Sequence, residues 1–174
     1  MPKLTIEILQ REAQAFSRTE SHHQEKSLFG VTDGKAVGTY LEHKFKNYLR
    51  VKYDFEEGNS ASGIDFPGLP VDMKVTSITQ PQSSCPFKSA RQKIYGLGYS
   101  LLVFVYEKAD NAKSRTATMN ILHTLFVNDE ILSNPPKTGL LTISNALQWR
   151  LQYSRVIERA GQEEGVVLVY RANL

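Results

Sequence analysis

The chain is 174 residues long, enough for one domain with a buried core and short for two. Hydrophobic residues make up 41% and charged residues 22%, which excludes disordered and fibrous classes, and a formal net charge of +3 excludes a polybasic tail protein. A single cysteine, Cys85, excludes an internal disulfide framework and a multi-cysteine zinc site, and no apolar run approaches the ~18 residues of a membrane span.

Leu4, Ile6, Leu9, Ala13 and Phe16 stand among Glu, Gln and Arg, and their spacing predicts an amphipathic helix over residues 4–18. A glycine-punctuated loop covers 30–38. Thr39 then caps a predicted helix running to about Arg50, with Glu42 in its first turn. Residues 51–56 and 60–66 read as short strands, and the strict alternation over 70–77 is the clearest strand in the chain. After a loop from Gln80 to Pro86, helical spacing returns over 87–97 through Phe87, Ala90, Ile94 and Leu97. Leu101 to Tyr106 is apolar throughout, as a strand covered on both faces should be. Residues 109–115 read as a polar turn and 116–128 as a strand, followed by a helix over 140–159 and a last strand over 166–170. The order predicts a mixed α/β core: helix, three strands, helix, strand.

Alternation puts Asp72, Lys74 and Thr76 on one face of the 70–77 strand and Val71, Met73 and Val75 on the other. A solvated polar face is the plain alternative, and the preceding segment weighs against it. If Gly68-Leu69 form a tight two-residue turn, Asp65 falls directly opposite Asp72, with Cβ atoms roughly 5 Å apart. Two carboxylates that close repel unless one is protonated or a cation lies between them. Mg²⁺, with ligand oxygens at ~2.1 Å, suits that geometry, and Lys74 on the same face reaches a water or phosphate oxygen beside it. Carboxylate, carboxylate, lysine and a divalent ion are what phosphodiester hydrolysis requires. Glu42 is a candidate further ligand, direct or through water. Position alone equally allows an acid that only favours a helix N-terminus.

Asp65, then Asp72-Met73-Lys74 on a strand, behind a helix carrying Glu42 and ahead of the helix over 87–97, resembles the PD-(D/E)xK nuclease core of type II restriction endonucleases. The resemblance covers about residues 36–106. It implies a restriction-endonuclease-like mixed sheet flanked by helices, within a single nuclease domain over 1–174. The N-terminal helix over 4–18 and a strand–helix–strand addition over 116–171 complete that domain. It further implies that Asp65 and Asp72 bind the catalytic metal, that the Met73 carbonyl adds a ligand, and that Lys74 is the catalytic lysine. Glu42 matches the acidic residue many members carry on the first core helix. One or two Mg²⁺ ions per site are expected, with Mn²⁺ able to substitute. Two departures stand out: Ile64 occupies the position of the family's proline, and the spacing of seven from Asp65 to Asp72 is at the short end.

Gln92 resembles a glutamine that some members use near the site, and Lys88 and Arg91 share its helix flank. For these two, phosphate contact and a solvated flank are equally weighted. Lys35, in the glycine-rich loop, is a further candidate for phosphate contact. That loop lacks the spacing of a nucleotide-binding loop. The loop holding Gln80, Gln82, Ser83 and Ser84 follows the catalytic strand directly and is the candidate for groove contact. His22 and His23 read as an exposed pair, and Cys85, between Ser84 and Pro86, has no local support as a nucleophile. The expected activity is a Mg²⁺-dependent, site-specific deoxyribonuclease of type II, cutting double-stranded DNA as a homodimer in the cytoplasm, with no membrane partner. The alternatives are a repair, recombination or structure-specific nuclease of the same fold, and a DNA-binding protein on an inactive nuclease scaffold. The small net charge hides an uneven distribution: residues 35–52 carry five Lys and Arg against Glu42 alone.

Overall fold

The computed structural model describes residues 1–58, 64–79 and 98–129. Their elements are α1 (Ile6–Glu20), β1 (Gln24–Glu25), α2 (Gly34–Arg50), β2 (Val71–Ser77), β3 (Ser100–Asn111) and β4 (Thr116–Val127). The four strands form one mixed sheet in the order β1-β4-β3-β2, parallel between β2 and β3 and antiparallel elsewhere. A parallel pair needs a crossover of a dozen or more residues. The connection between β2 and β3 is long enough for one, although the helix expected over 87–97 lies outside the described residues.

The N-terminal helix forms as expected, capped by the Thr5 hydroxyl, which accepts from the Ile8 N–H. The second helix starts earlier than predicted. Asp33, a stronger cap than Thr39, accepts from the Lys35 N–H at 3.0 Å. The buried stripe Val37, Leu41, Phe45 and Leu49, at four-residue steps, then carries the helix back through Gly38 and Gly34. Glu42 therefore lies in the middle of α2 and not in its first turn, which removes the dipole as its explanation. Lys35, expected in a loop, stands exposed on the first turn of this helix.

Residues 51–56 do not form the predicted strand. They leave α2 as a turn, and Asp54 meets Lys3 in a single parallel bridge. The predicted turn at 109–115 is narrower, because β3 runs on to Asn111 and pairs with Thr116. Of the expected 60–66 strand, the described part contributes one bridge, Phe66 with Val71.

Both helices pack on the sheet face that presents Val71, Met73, Leu102, Phe104, Tyr106, Ala117 and Met119. Phe45 is the hub, with Phe16 at 5.0 Å and Phe104 at 5.2 Å between ring centroids. Leu101, Val103 and Val105 on the opposite face are buried as well, as expected for a strand covered on both sides. In β4 the register slips by one between Val105 and Tyr106, leaving Leu122 as an extra residue. That bulge exchanges the faces, so Ile121 packs with the helices while Leu125 and Val127 are buried outside that cluster.

Glu12 locks α1 to α2. Its carboxylate accepts from Tyr48 at 2.7 Å, Tyr53 at 2.8 Å and Lys52 at 2.8 Å. The Lys52 bond leads the tyrosines in outweighing burial, and together they hold the Glu12 carboxyl down at about 2.

Candidate active site

The site is built on the edge of β2 that faces away from β3. Phe66 and Val71 exchange backbone hydrogen bonds, Phe66 N–H to Val71 O at 2.9 Å and Val71 N–H to Phe66 O at 3.2 Å. Continuing that register puts Asp65 opposite Asp72, as the sequence predicts. The turn between them is wider than two residues. Pro70 has no N–H to close an inner pair, so Leu69 donates to the Phe66 carbonyl at 3.0 Å instead. Gly58 clasps the far side of this arm, its N–H donating to the Asp65 carbonyl at 2.9 Å. A Cβ at Gly58 would stand 1.5 Å from the Ile64 oxygen, so only glycine allows the approach.

Both oxygens of Asp65 are engaged. Oδ1 meets the Lys46 ammonium at 2.5 Å, and Oδ2 accepts the Met73 N–H at 2.8 Å. A residue's N–H and C=O point to the same side of a strand, so the Met73 carbonyl also faces the Asp65 edge. Asp72 is buried at 4% exposure and pairs with the Lys74 ammonium at 2.7 Å. The two carboxyl groups lie within hydrogen-bonding reach of each other.

The charges divide unevenly across this cluster. Burial pushes the Asp72 carboxyl up to about 6, with Asp65 adding to the rise and Lys74 opposing it. Burial would raise Asp65 too, but the bonds from Asp72, Lys46 and the Met73 N–H outweigh it and hold that carboxyl below its ordinary range. Glu42 is pushed up to about 7, by burial first and then by the charge on Asp65. Lys74 is held above the ordinary lysine range: burial opposes its charge, but Asp72 and Asp65 outweigh that. Mutually repelling carboxyls with raised affinity for protons are what a divalent cation relieves. Among the described residues no three His, Cys, Asp or Glu side chains converge closely enough to hold an ion by themselves. The groups that could hold an ion are thus two aspartates and a main-chain carbonyl, a set that fits Mg²⁺, an ion that keeps several waters and takes one or two carboxylates.

Glu42, Asp65, Asp72, Met73 and Lys74 are thus brought together, while Lys35 stands on α2 seven residues before Glu42, on the same helix stripe. Gln80, Gln82, Ser83, Ser84, Lys88, Arg91 and Gln92 lie outside the described residues. Two residues the sequence reading passed over belong to the site. Lys46 was signalled only by its four-residue step from Glu42. Tyr99, buried just before β3 and near Lys74, carried no signal.

The sequence model of the Type II restriction enzyme NspV family matches the chain over residues 3–130 and again over 127–168. The chain belongs to the NspV family of type II restriction enzymes. The type II restriction enzyme NspV of a Nostoc species is 57% identical over a 219-residue alignment that takes in 99% of this chain and 100% of the relative. No solved structure matches. Every site residue named above falls in the first NspV match. Set against a chain of 174 residues, the 219-residue alignment leaves at least 45 positions with no residue here. The two family matches meet at 127–130, at the end of β4. The sheet register aligns Asp72 with Leu101 and Leu101 with Val127, which puts that junction two strand spacings, roughly 10 Å, from Asp72.

Proposed function

We propose that this NspV-family chain is a Mg²⁺-dependent endonuclease that hydrolyses phosphodiester bonds at specific sites in double-stranded DNA. The observation that carries the reading is the convergence of Asp65, Asp72 and Lys74 on one edge of β2. Asp65, Asp72 and the Met73 carbonyl hold the ion, with Mn²⁺ able to substitute, and Glu42 acts on it through water. When bound, the ion supplies an acidified water and charge compensation for the transition state. Asp72 and Asp65 fix the reacting phosphate's position by holding their shared counter-ion on a rigid strand. Lys74 keeps its ammonium charged in a buried setting and directs it at the attacking water or the phosphate oxygen. Lys35 and the 80–92 segment, with Gln80, Gln82, Ser83, Ser84, Lys88, Arg91 and Gln92, contact DNA.

The finer architecture proposed is a restriction-endonuclease-like core within one domain, its crossover helix over 87–97 joining the parallel strands β2 and β3. The active form is a homodimer in the cytoplasm. A domain of this length has a radius of gyration of roughly 16 Å and covers a half-site, so cutting both strands calls for a two-fold pair. Among the described residues no helix is long and apolar enough to cross a membrane. Family membership favours this reading over repair nucleases and inactive scaffolds. The test is plasmid cleavage in Mg²⁺ beside Asp72→Ala and Lys74→Ala. Both variants should lose cleavage and keep duplex binding in Ca²⁺. Unchanged cutting by either overturns the assignment.

A further inference from the structure

We propose that Lys46 is the exchangeable cation of the site: it holds Asp65 in the metal-free protein and is released to a DNA phosphate when the carboxylate pair takes a divalent ion. The proposal rests on the nuclease reading above and adds a residue that reading does not use.

Lys46 sits on α2, one turn beyond Glu42, and its side chain is 13% exposed. The two oxygens of Asp65 are held in different ways. Oδ2 is fixed by the Met73 N–H, part of a rigid strand, at 2.8 Å. Oδ1 is held at 2.5 Å by an ammonium on a flexible four-carbon stem. An ion shared by Asp65 and Asp72 would stand within contact distance of that ammonium, and two cations cannot occupy one carboxylate oxygen without strong repulsion. The flexible partner is the one that yields. Lys74 is not an equivalent choice, because its ammonium is tied to Asp72 and sits on the same strand as its partner.

On release Lys46 does not leave the site. Glu42 and Glu57 both lie close enough to feel its charge, and Glu57 is already bound by Arg50 at 2.6 Å. The stripe from Lys35 through Glu42 to Lys46 runs along one side of α2. A phosphate drawn to the ion therefore meets the freed ammonium at the end of that stripe. In the metal-free protein the same ammonium neutralises Asp65 and keeps the aspartate pair from driving the hairpin arm off β2.

The test is Ca²⁺ titration calorimetry on the full chain without DNA, for the wild type, Lys46→Met and Lys46→Arg, followed by duplex binding at saturating Ca²⁺. With no cation to displace, Lys46→Met should bind Ca²⁺ at least roughly threefold tighter. Lys46→Arg should stay near the wild type. At saturating Ca²⁺ the order reverses: Lys46→Met should bind duplex severalfold more weakly and Lys46→Arg should restore it. Ca²⁺ affinity in Lys46→Met equal to or weaker than wild type overturns the exchange, and unchanged duplex binding overturns the phosphate contact. Lys46→Gln, which keeps a polar tip for Asp65, carries the same expectations if the methionine variant melts below the working temperature. Asp65→Asn separates the two levels: if it binds Ca²⁺ as the wild type does, the metal site itself is wrongly assigned.

Discussion

If Asp72 and Glu42 both act on the divalent ion, protons compete with that ion near neutral pH, and the size of the competition follows from the site. Asp72 is pushed up to about 6 and Glu42 to about 7, chiefly by burial. Each group attracts the ion, Asp72 directly and Glu42 through water, only when ionised, so affinity falls as pH drops through its value. Between pH 8 and pH 6 the ionised fraction of Asp72 falls about twofold and that of Glu42 about tenfold, together about 20-fold in Ca²⁺ affinity. Glu42→Gln keeps the size and removes the titration, so the same interval should cost that variant only about twofold. The assay is Ca²⁺ calorimetry at fixed ionic strength across pH 6 to 8, without DNA and therefore without turnover. A wild-type affinity that is flat across the interval refutes the coupling of these carboxyls to the ion. A Glu42→Gln profile as steep as wild type refutes the role of Glu42 while leaving the aspartates standing.

Gly58→Ala should displace the arm that carries Asp65, since the added methyl meets the Ile64 carbonyl. Ca²⁺ affinity should fall along with cleavage, and retention of both would mean the clasp does not position Asp65. Glu12→Gln should lower stability at pH 7 by up to about 3 kcal/mol, a ceiling from its pKa difference, read by thermal melting. Because the folded carboxyl lies near 2, below its ordinary 4.5, this contribution is complete above about 4.5 and fades as pH falls. The gap between variant and wild type should therefore shrink by more than half at about pH 3, and a constant gap refutes the linkage. The Thr76 hydroxyl is buried without a partner among the described residues, so Thr76→Val should melt at or above the wild-type temperature. A fall of several degrees would mean the hydroxyl is satisfied.

The strand that carries the candidate site was legible because a period of two is written directly in Val71-Asp72-Met73-Lys74-Val75. The pairing of Asp65 with Asp72 was legible as well: an antiparallel register survives a change in turn width as long as the pair stays opposite. Boundaries were less readable. Thr39 and Asp33 are both N-cap residues, and only the packing of Val37 against the core chooses between them. Residues 51–56 alternate like a strand but find no strand to pair with among the described residues, and Asp54 takes a single bridge to Lys3 instead. Strand extension to Asn111 was hidden because Lys108, Asp110 and Asn111 are polar, and the ladder to β4 sustains them through backbone bonds that carry no side-chain signature.

By itself the sequence determined that the candidate donors Asp65 and Asp72 share one hairpin edge with Lys74, because local periodicity and turn register decide which side chains share a face. It also determined the aromatic and aliphatic stripes that bring α1 and α2 onto the sheet. What only the tertiary structure decided is the electrostatic state of those donors. Glu42 is pushed up to about 7 and Asp72 to about 6 chiefly because the folded chain buries them away from water. Lys46 finds Asp65 across 19 residues of sequence because the hairpin arm folds back beneath α2. Desolvation and long-range charge pairing depend on what surrounds a group in space, and no local pattern along the chain records that.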